Sequence, residues 1–273
     1  MINENKISVV VITKNEELMI EGCLKSVSWA DEIIVVDDFS EDKTRSIAKK
    51  YTNKIYKRKF TGFASQKNYG IVRSKSEWIL ILDADERVSK KLKERIQELI
   101  IKNNNYCYNI FFKNFFLGKE MKYGGWQDEY HIRLFKNKRA FYKNQEIHEI
   151  LKTRDKDLPI TECIYHFSHR DLASNLLKTR QYALKESQYN AKRDYPPVTK
   201  FSLLRNIVDH FIYRYIKAKG YKDGMEGFIE AVYQSFSQIF IIQTMTWERQ
   251  RSKTSKQLYK ELDKKLEENN FSI

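Results

Sequence analysis

Residues 78–87, WILILDADER, contain the pattern that decides the fold. Five apolar residues run without interruption into Asp83, Asp85 and Glu86. A short unbroken apolar run is typical of a strand buried on both faces of a parallel sheet, because a strand with one wet face alternates apolar and polar residues. We therefore expect these three acidic residues at the point where a central strand ends.

The two aspartates are separated by a single alanine, Ala84. In an extended segment residues i and i+2 point to the same side, so Asp83 and Asp85 are predicted to aim at one spot. Two carboxylates about 4 Å apart repel by about 1–4 kcal/mol, and a bound divalent cation reverses that cost. Oxygen ligands suit Mg²⁺ or Mn²⁺ held jointly by protein and a diphosphate. The alternative is a solvated acidic turn in which Glu86 helps to start the next helix.

The first hundred residues repeat an alternation of strands and helices. Strands are predicted over residues 7–13, 32–38 and 54–59, each followed by a helix, and a helix over 89–102 follows the apolar run. Such βαβ repetition predicts a parallel sheet with helices on both sides. Asn15 is expected to cap the helix that follows the first strand.

The pattern changes after residue 105. Residues 105–142 are aromatic and strand-like, and glycines within them supply turns. Helical periodicity dominates the remainder, with helices predicted over residues 171–195, 199–219 and 223–247. We expect an α/β domain over residues 1–167 and a helical region over residues 168–273.

Composition and cysteine usage narrow the class of protein. A chain of 273 residues with 41% apolar content can form one large domain or one domain with an appendage. Three scattered cysteines are typical of a reduced cytoplasmic protein rather than a disulfide scaffold. The first residues lack a signal-peptide pattern, and no stretch of about 18 residues stays apolar. We therefore expect a cytoplasmic protein that does not span a membrane.

The net charge of +14 is concentrated in the later part of the chain. Residues 167–260 contain 17 basic against 8 acidic residues. Such a surface favours anionic partners, namely acidic lipid headgroups, phosphorylated sugars or nucleic acid.

Four motifs together resemble the family 2 glycosyltransferases, which are inverting enzymes of the GT-A fold that use nucleotide-sugar donors. These motifs are VVITKNE (10–16), VVDDFSEDKT (35–44), FASQKN (63–68) and WILILDADE (78–86). Three later stretches are similar to the branch that includes lipopolysaccharide core β-glucosyltransferases: GGWQDEYHIRLF (124–135), IHE (147–149) and GYKDGMEGFIEA (220–231). The resemblance implies a Rossmann-like, mostly parallel sheet flanked by helices, with a C-terminal helical extension.

The resemblance also implies roles for residues at the strand ends. Asp85 would ligate the Mn²⁺ or Mg²⁺ ion that bridges the donor phosphates, and Asp83 would face the ribose or the metal. For Asp38 the alternative is helix capping, and for Lys67 it is an ordinary surface lysine. The implied nucleotide-sugar contacts are Thr13, Asn15, Glu16, Asp38, Gln66, Lys67, Asp83 and Ala84.

An inverting displacement needs a general base that takes the proton of the acceptor hydroxyl. Relatives place an aspartate, preceded by proline, after the Gly-Trp turn. Here Glu129 occupies the aspartate position and Asp128 the proline position, so both remain candidates for the base. Arg133 would contact phosphate, orient the base or form a structural salt bridge. Further candidates for the site are His148, Glu149 and His166, whose alternative is structural hydrogen bonding.

The resemblance implies transfer of a hexose, glucose in the first place, from a UDP-sugar to a glycan or glycolipid such as lipopolysaccharide core. The helices over residues 198–251 are hypothesised to lie on the inner face of the membrane, and the alternatives are packing on the catalytic domain or a homodimer. A sugar nucleotidyltransferase is an alternative, although ITKNEE lacks the glycine-rich loop that holds a triphosphate. A basic membrane or nucleic-acid adaptor explains the charge but leaves the acidic strand ends without a purpose, so no nucleic-acid partner is expected.

Overall fold

The computed structural model of the chain describes residues 3–102, 106–143, 149–193 and 195–268. The chain forms two compact units, which divide after Arg170. The first unit is an α/β domain and the second is helical.

The first unit contains eleven strands and four helices among the residues that the structure describes. Its strands are β1 (Asn3–Thr13), β2 (Glu32–Asp37), β3 (Ile55–Lys57), β4 (Ser76–Asp83), β5 (Glu86–Val88), β6 (Tyr106–Phe116), β7 (Lys119–Glu120), β8 (Tyr130–Lys136), β9 (Ala140–Lys143), β10 (Ile150–Thr153) and β11 (Lys156–His169). Its helices are α1 (Ile20–Ser26), α2 (Thr44–Ala48), α3 (Phe63–Arg73) and α4 (Lys90–Lys102).

Nine of the described strands form one sheet in the order β3-β2-β1-β4-β8-β6-β11-β5, with β7 paired to β6. The half that contains β3, β2, β1 and β4 is parallel, as the strand-helix alternation predicts. In the other half β8 is antiparallel to both β4 and β6, and β11 is parallel to β6. The predicted GT-A type of α/β fold is confirmed, although the complete sheet is mixed rather than mostly parallel.

The parallel half of the sheet is buried on both faces. All five apolar residues of the run in β4, Trp78 to Leu82, are completely buried. Alternate residues enter two separate apolar cores, Leu80 and Leu82 on one face and Ile79 and Ile81 on the other. An unbroken apolar run is therefore what a strand covered by helices on both faces requires.

The chain turns directly after β4, and the sequence analysis was wrong about this geometry. Ala84 and Asp85 form a tight turn, and Glu86 begins β5, which runs antiparallel to β11. Asp83 and Asp85 are thus not neighbours along one extended strand. The pairing of Glu86 with His166 brings the turn beside β11, a strand that the sequence analysis did not predict.

The second unit consists of helices joined by short turns. They are α5 (Leu172–Lys192), α6 (Lys200–Ile212), α7 (Gly224–Gln234), α8 (Ile242–Gln250) and α9 (Ser255–Glu268). A π-helical turn, Tyr213–Lys217, extends α6, and a second one, Ser235–Ile241, joins α7 to α8. Within the described part of the chain, no helix combines the length and apolar character needed to cross a bilayer.

Candidate active site

Polar side chains gather where the parallel strands β1, β2 and β4 end. Thr13 of β1 is in register with Asp37 of β2, and Ile12 with Asp83 of β4. Three strand ends therefore meet at one edge of the sheet, which is where open α/β sheets bind ligands.

The two aspartates that end β2 have different environments. Asp37 is completely buried and accepts hydrogen bonds from the backbone N–H of Ser40, at 3.0 Å, and from the Ser40 hydroxyl. Asp38 accepts from the backbone N–H of Phe60 at 2.8 Å and from Lys14 Nζ at 2.6 Å. The capping contact with Ser40 is thus made by Asp37, and Asp38 lies in the loop region beyond the strand.

The last residue of β1 and the loop after it contain three of the residues expected to contact a nucleotide. Thr13 Oγ1 is buried and has no hydrogen-bond partner among the described residues. Asn15 has a positive φ of 51°, and its Oδ1 accepts from the backbone N–H of Glu41 at 2.9 Å. Asn15 does not cap α1, which begins later, at Ile20. Glu16 pairs with Arg170 at 3.0 Å.

Helix α3 contributes Gln66 and Lys67, and both side chains are buried. Gln66 Nε2 donates to the backbone carbonyl of Arg58 at 3.0 Å, and its Oε1 is buried without a partner among the described residues. Lys67 Nζ lies 2.7 Å from Glu149 Oε1 and 3.8 Å from Asp83 Oδ1. Burial alone would lower the pKa of Lys67, but the two carboxylates raise it, so the ammonium stays charged. Lys67 is therefore part of a buried charge cluster and not a surface lysine.

Asp83 faces cations rather than Asp85. Its Oδ2 lies 3.2 Å from Arg133 Nη2, and the same nitrogen lies 2.5 Å from Glu86 Oε1. Burial alone would raise the pKa of Asp83, but Lys67 and Arg133 lower it well below its usual value. Burial raises the pKa of Glu86, against the opposing effect of Arg133. Arg133 thus binds two carboxylates from the end of β4 and the start of β5.

A continuous series of polar contacts joins Asp85 to Glu129. His166 Nε2 lies 3.8 Å from Asp85 Oδ1, and His166 Nδ1 lies 2.8 Å from Asn114 Oδ1. Asn114 Nδ2 donates to Glu129 Oε2 at 2.5 Å, and Glu129 Oε1 lies 2.8 Å from His131 Nε2. Because the amide nitrogen of Asn114 donates to Glu129, its oxygen accepts from His166 Nδ1–H. Nε2 of a neutral His166 is then the nitrogen with a lone pair, and it faces Asp85.

These contacts fix the protonation states at the two ends of the series. Burial lowers the pKa of His166, against the opposing effect of Asp85 and Asp83, which favours a neutral imidazole. Burial alone would raise the pKa of Glu129, but the hydrogen bond and charge of His131 and the hydrogen bond from Asn114 lower it. Glu129 is therefore an ionised carboxylate, the form that a general base requires.

The two candidates for the base differ in environment. Glu129 is half-buried between Asn114 and His131, and Asp128 is exposed. Arg133, expected on the same face as Glu129, lies at the Asp83 end of the site. Glu149 also lies at the Asp83 end, where its carboxylate pairs with Lys67. His148 is outside the described residues.

The donor atoms at Asp85 and His166 are suited to a divalent ion. The carboxylate oxygen Oδ1 of Asp85 lies 3.8 Å from His166 Nε2, the nitrogen that carries the lone pair. Among the described residues, no group of three His, Cys, Asp or Glu side chains could by itself hold a metal. Mg²⁺ and similar ions at phosphate-binding sites are held by one or two protein carboxylates and complete their shell from phosphate oxygens and water. Asp85 fits as such a carboxylate, and His166 lies beside it as a further donor.

Sequence reasoning missed several residues of this site. Asn114 is completely enclosed in β6, on the face that also buries Ile110, Phe112 and Phe116. A polar residue at alternate spacing within an apolar strand face was the signal that could have identified it. Glu86 was expected at the strand end, but its pairing with Arg133 was not. Arg170 had no comparable signal, because its partner Glu16 is distant in the sequence.

The chain is similar in sequence to known glycosyltransferases. The model of the family described as glycosyl transferase family 2 matches residues 8–168. An uncharacterized glycosyltransferase of Rickettsia bellii is 27% identical over 245 residues, covering 85% of this chain and 83% of the relative. The lipopolysaccharide core biosynthesis glycosyltransferase LpsC of Rhizobium meliloti is 25% identical over 241 residues, covering 85% of this chain and 88% of the relative.

Among solved structures, S. aureus TarS in complex with UDP-GlcNAc is 14% identical and has a TM-score of 0.46, covering 88% of this chain and 90% of that one. The family model matches more than half of the chain, and its limits enclose the strand ends and the polar series described above. The chain therefore belongs to glycosyl transferase family 2.

Proposed function

We propose that this protein is an inverting, metal-dependent hexosyltransferase that extends a cell-surface glycan such as lipopolysaccharide core. The proposed donor is a UDP-hexose, with UDP-glucose as the first candidate. The observation that supports this most is the polar series from Asp85 through His166 and Asn114 to Glu129. It joins a candidate metal ligand to an ionised candidate base. The similarity to LpsC, whose name assigns it to lipopolysaccharide core biosynthesis, supports the choice of acceptor.

The nucleotide is proposed to bind at the ends of β1 and β2. Asp38 lies beyond β2 and is suited to accept from uracil N–H or from ribose hydroxyls through charge-assisted hydrogen bonds. Thr13 Oγ1 and Gln66 Oε1 are buried polar atoms without partners among the described residues, and a bound ligand would satisfy them. Asn15 and Glu16 shape the same loop through their contacts with Glu41 and Arg170. The side chain of Ala84 packs in an apolar core.

The metal is proposed to bind to Asp85 and His166. When bound, a divalent cation stabilises the negative charge that develops on the departing nucleoside diphosphate. Asp83, whose carboxylate contacts Lys67 and Arg133, is proposed to position the ribose side of the donor through that charge cluster.

Glu129 is proposed as the general base in preference to Asp128. Its carboxylate is ionised and oriented by Asn114 and His131, so it can accept the proton of an acceptor hydroxyl as that oxygen attacks the sugar. Asp128 is exposed, and none of the described residues is seen to hold its carboxylate toward a buried reaction centre. Attack from the base side displaces the diphosphate with inversion at the anomeric carbon.

The proposal is tested by following UDP release from a panel of UDP-sugars with the purified full chain. Asp85→Asn is expected to abolish release and to remove the thermal protection that UDP with Mn²⁺ gives. Glu129→Gln is expected to lower turnover by about 100-fold or more while this protection remains. Asp128→Asn, one residue away and of the same chemistry, is the matched control and is expected to keep its activity.

Two results would overturn the proposal. If no UDP-sugar is turned over, and UDP with Mn²⁺ or Mg²⁺ gives no thermal protection, the donor and metal assignments are wrong. If Glu129→Gln remains active and Asp128→Asn does not, the base is Asp128. Circular dichroism of each variant establishes that a loss of activity does not reflect unfolding.

The lipid-linked acceptor implies a place of action. Lipopolysaccharide core is built on a lipid anchor, so we propose a cytoplasmic enzyme that works as a peripheral protein at the inner membrane face. A homodimer is the competing explanation for exposed apolar residues in the second unit.

A further inference from the structure

The helices of the second unit have a reversed distribution of polarity. A helix on the surface of a water-soluble domain buries an apolar stripe and exposes polar residues. From α7 to α8 the buried positions are mostly polar, and apolar residues are largely on the outside. The buried polar residues of this segment are Glu230, Gln234, Ser235, Ser237, Gln243 and Thr246.

Hydrogen bonds and an ion pair hold this polar interior together. Glu230 is completely buried and accepts from Arg214 Nε at 3.1 Å and Nη2 at 2.6 Å. His210 Nδ1 lies 3.2 Å from Ser235 Oγ, and this contact joins α6 to the segment after α7. Buried polar groups are stable only when they are paired. The carboxylate of Glu230 and the hydroxyl of Ser235 are paired, whereas Gln243 Oε1 has no hydrogen-bond partner among the described residues. Burial of large apolar side chains therefore contributes little to this part of the unit.

Two apolar stripes lie on the outside of the same helices. One stripe follows α7 into its π-helical turn, at Met225, Phe228, Val232, Phe236 and Phe240. The other follows α6 into its own π-helical turn, at Phe201, Leu204, Val208, Ile212 and Ile216. We refer to these ten exposed side chains as the apolar surface. Each stripe spans 16 residues, or about 22 Å from its first to its last residue at helical rise.

The degree of exposure is what separates these side chains from ordinary surface residues. Phe201 is 75% exposed, Met225 66% and Leu204 64%, and no residue of α6 is buried. Scattered exposed apolar residues need no explanation, but contiguous stripes on two helices that pack together mark a surface that contacts an apolar partner.

The charges around the apolar surface distinguish between partners. Residues 199–222 contain six basic residues against one acidic residue, Asp209. Arg205 lies next to Leu204 and one turn after Phe201, and Lys217 follows Ile216 directly; both are exposed. A second copy of the chain would bring like charges together, whereas anionic headgroups would complement them.

We infer that the apolar surface docks on an anionic lipid bilayer, with its apolar side chains in the acyl boundary and the neighbouring basic side chains among the headgroup phosphates. Interfacial helices bind in this way, in the plane of the membrane and without spanning it. The inference deepens the proposed function, because a lipid-anchored acceptor would be met at such a surface. Only the biological role of this surface rests on the proposed function, because binding to lipid needs neither donor nor acceptor.

The first arm of the test is co-sedimentation of the full chain with vesicles at low salt. Binding is expected to phosphatidylcholine vesicles that contain phosphatidylglycerol and to be much weaker with phosphatidylcholine alone. Phe201→Gln, Leu204→Gln and Met225→Gln together are expected to lower partitioning at least tenfold. The matched control is Val72→Gln with Ile101→Gln, which changes equally exposed apolar residues of the first unit and should leave partitioning unchanged.

The second arm tests the charges. Each basic residue near an anionic membrane surface raises the vesicle partition coefficient about fivefold. Arg205→Gln with Lys217→Gln should therefore lower this coefficient about 25-fold. Lys49→Gln with Lys50→Gln, which removes two exposed charges from the first unit, should have little effect. Raising the salt concentration should lower the vesicle partitioning of the wild type to that of the Arg205→Gln, Lys217→Gln variant.

Two outcomes would overturn the inference. One is wild-type protein that stays in the supernatant with phosphatidylglycerol vesicles at low salt. The other is a lipid-free dimer, seen by analytical ultracentrifugation, that the three apolar substitutions convert to a monomer, because a second copy would then occupy the surface. UDP release measured on the same preparations shows separately whether the proposed enzymatic function holds.

Discussion

The contact between Asn114 and Glu129 offers the sharpest test of the proposed base. Asn114 Nδ2 donates to Glu129 Oε2 at 2.5 Å, and this bond helps to keep the pKa of Glu129 below its ordinary value. Asn114→Asp keeps the size of the side chain but replaces the donor with a second carboxylate. The substitution therefore raises the pKa of Glu129, and the base becomes protonated at a higher pH.

The size of the effect follows from the geometry. Two unit charges about 4 Å apart repel by about 4 kcal/mol at an effective dielectric constant of about 20, which corresponds to about three pKa units. Two features reduce this. The Glu129 side chain is 28% exposed, and His166, 2.8 Å from Asn114, can take up a proton and offset the new charge. We expect the acid limb of the profile of kcat/KM against pH to move up by about one to two units.

The assay is UDP release from the best UDP-sugar, measured across the pH range at one fixed Mn²⁺ concentration. Asn109→Asp is the matched control, because Asn109 lies on the same strand but contacts the exposed Asp157 instead of the site. Its profile should coincide with that of the wild type. Repeating the Asn114→Asp profile at higher Mn²⁺ separates protonation of Glu129, which extra metal does not reverse, from protonation of His166, which competes with metal.

An acid limb that stays at the wild-type position in Asn114→Asp would refute the role of Glu129 as base. A limb that moves but returns at high Mn²⁺ would assign the effect to His166 and would equally remove the support for Glu129.

Two further predictions concern stability, measured by urea unfolding with tryptophan fluorescence. Arg133→Met should lower the free energy of unfolding by about 3–5 kcal/mol, because it leaves Glu86 buried without its cation, whereas Arg95→Met removes only an exposed ion pair and should cost less than about 1 kcal/mol. Equal losses from the two variants would contradict the structural role of Arg133. Gly70→Ala should cost about 1–3 kcal/mol, because a Cβ at this position would lie 2.2 Å from Val10 Cγ1, and a second substitution, Val10→Ala, should restore part of the loss. No recovery in the double variant would show that the cost arises elsewhere.

Much of the fold follows from local patterns. The apolar run in β4 and the strand-helix alternation around it predict the parallel half of the sheet. A strand buried on both faces requires apolar residues at successive positions, and this pattern is visible in the sequence. The helices of the second unit are predicted for a similar reason, since their apolar residues recur at helical spacing. That periodicity does not reveal which face is buried, and in α7 the apolar stripe lies outside.

The other half of the sheet was harder to predict. Strand β11 pairs with β6 in parallel and with β5 in antiparallel, and it contains Pro159 and charged residues at many positions. Its sequence, KDLPITECIYHFSH, has no clear alternation, so its place is decided by partners that are distant in the chain. His166 lies in this strand, and its contact with Asp85 was for that reason not predictable from spacing.

The acidic strand end shows how one wrong local assumption changes a site. Residues 83–85 were assumed to be extended, which would aim Asp83 and Asp85 at one spot. The turn at Ala84 instead leaves Asp83 with Lys67 and Arg133 and brings Asp85 to His166. The acidic residues at the strand end were predicted as part of the site, but which carboxylate pairs with which cation depends on contacts between residues 16 to 81 positions apart.

The charge balance of the site supports the proposal that a cation binds together with the donor. The carboxylates that gather there are Asp83, Asp85, Glu86, Glu129 and Glu149. Lys67 and Arg133 pair with three of them, Asp83, Glu86 and Glu149. Even if the buried Glu86 holds a proton, the acidic groups outnumber the basic ones. A diphosphate adds further negative charge, which such a site would repel at low dielectric. A divalent ion at Asp85 and His166 reverses this balance at the place where the phosphates must lie, so donor binding and metal binding should be strongly coupled in this enzyme.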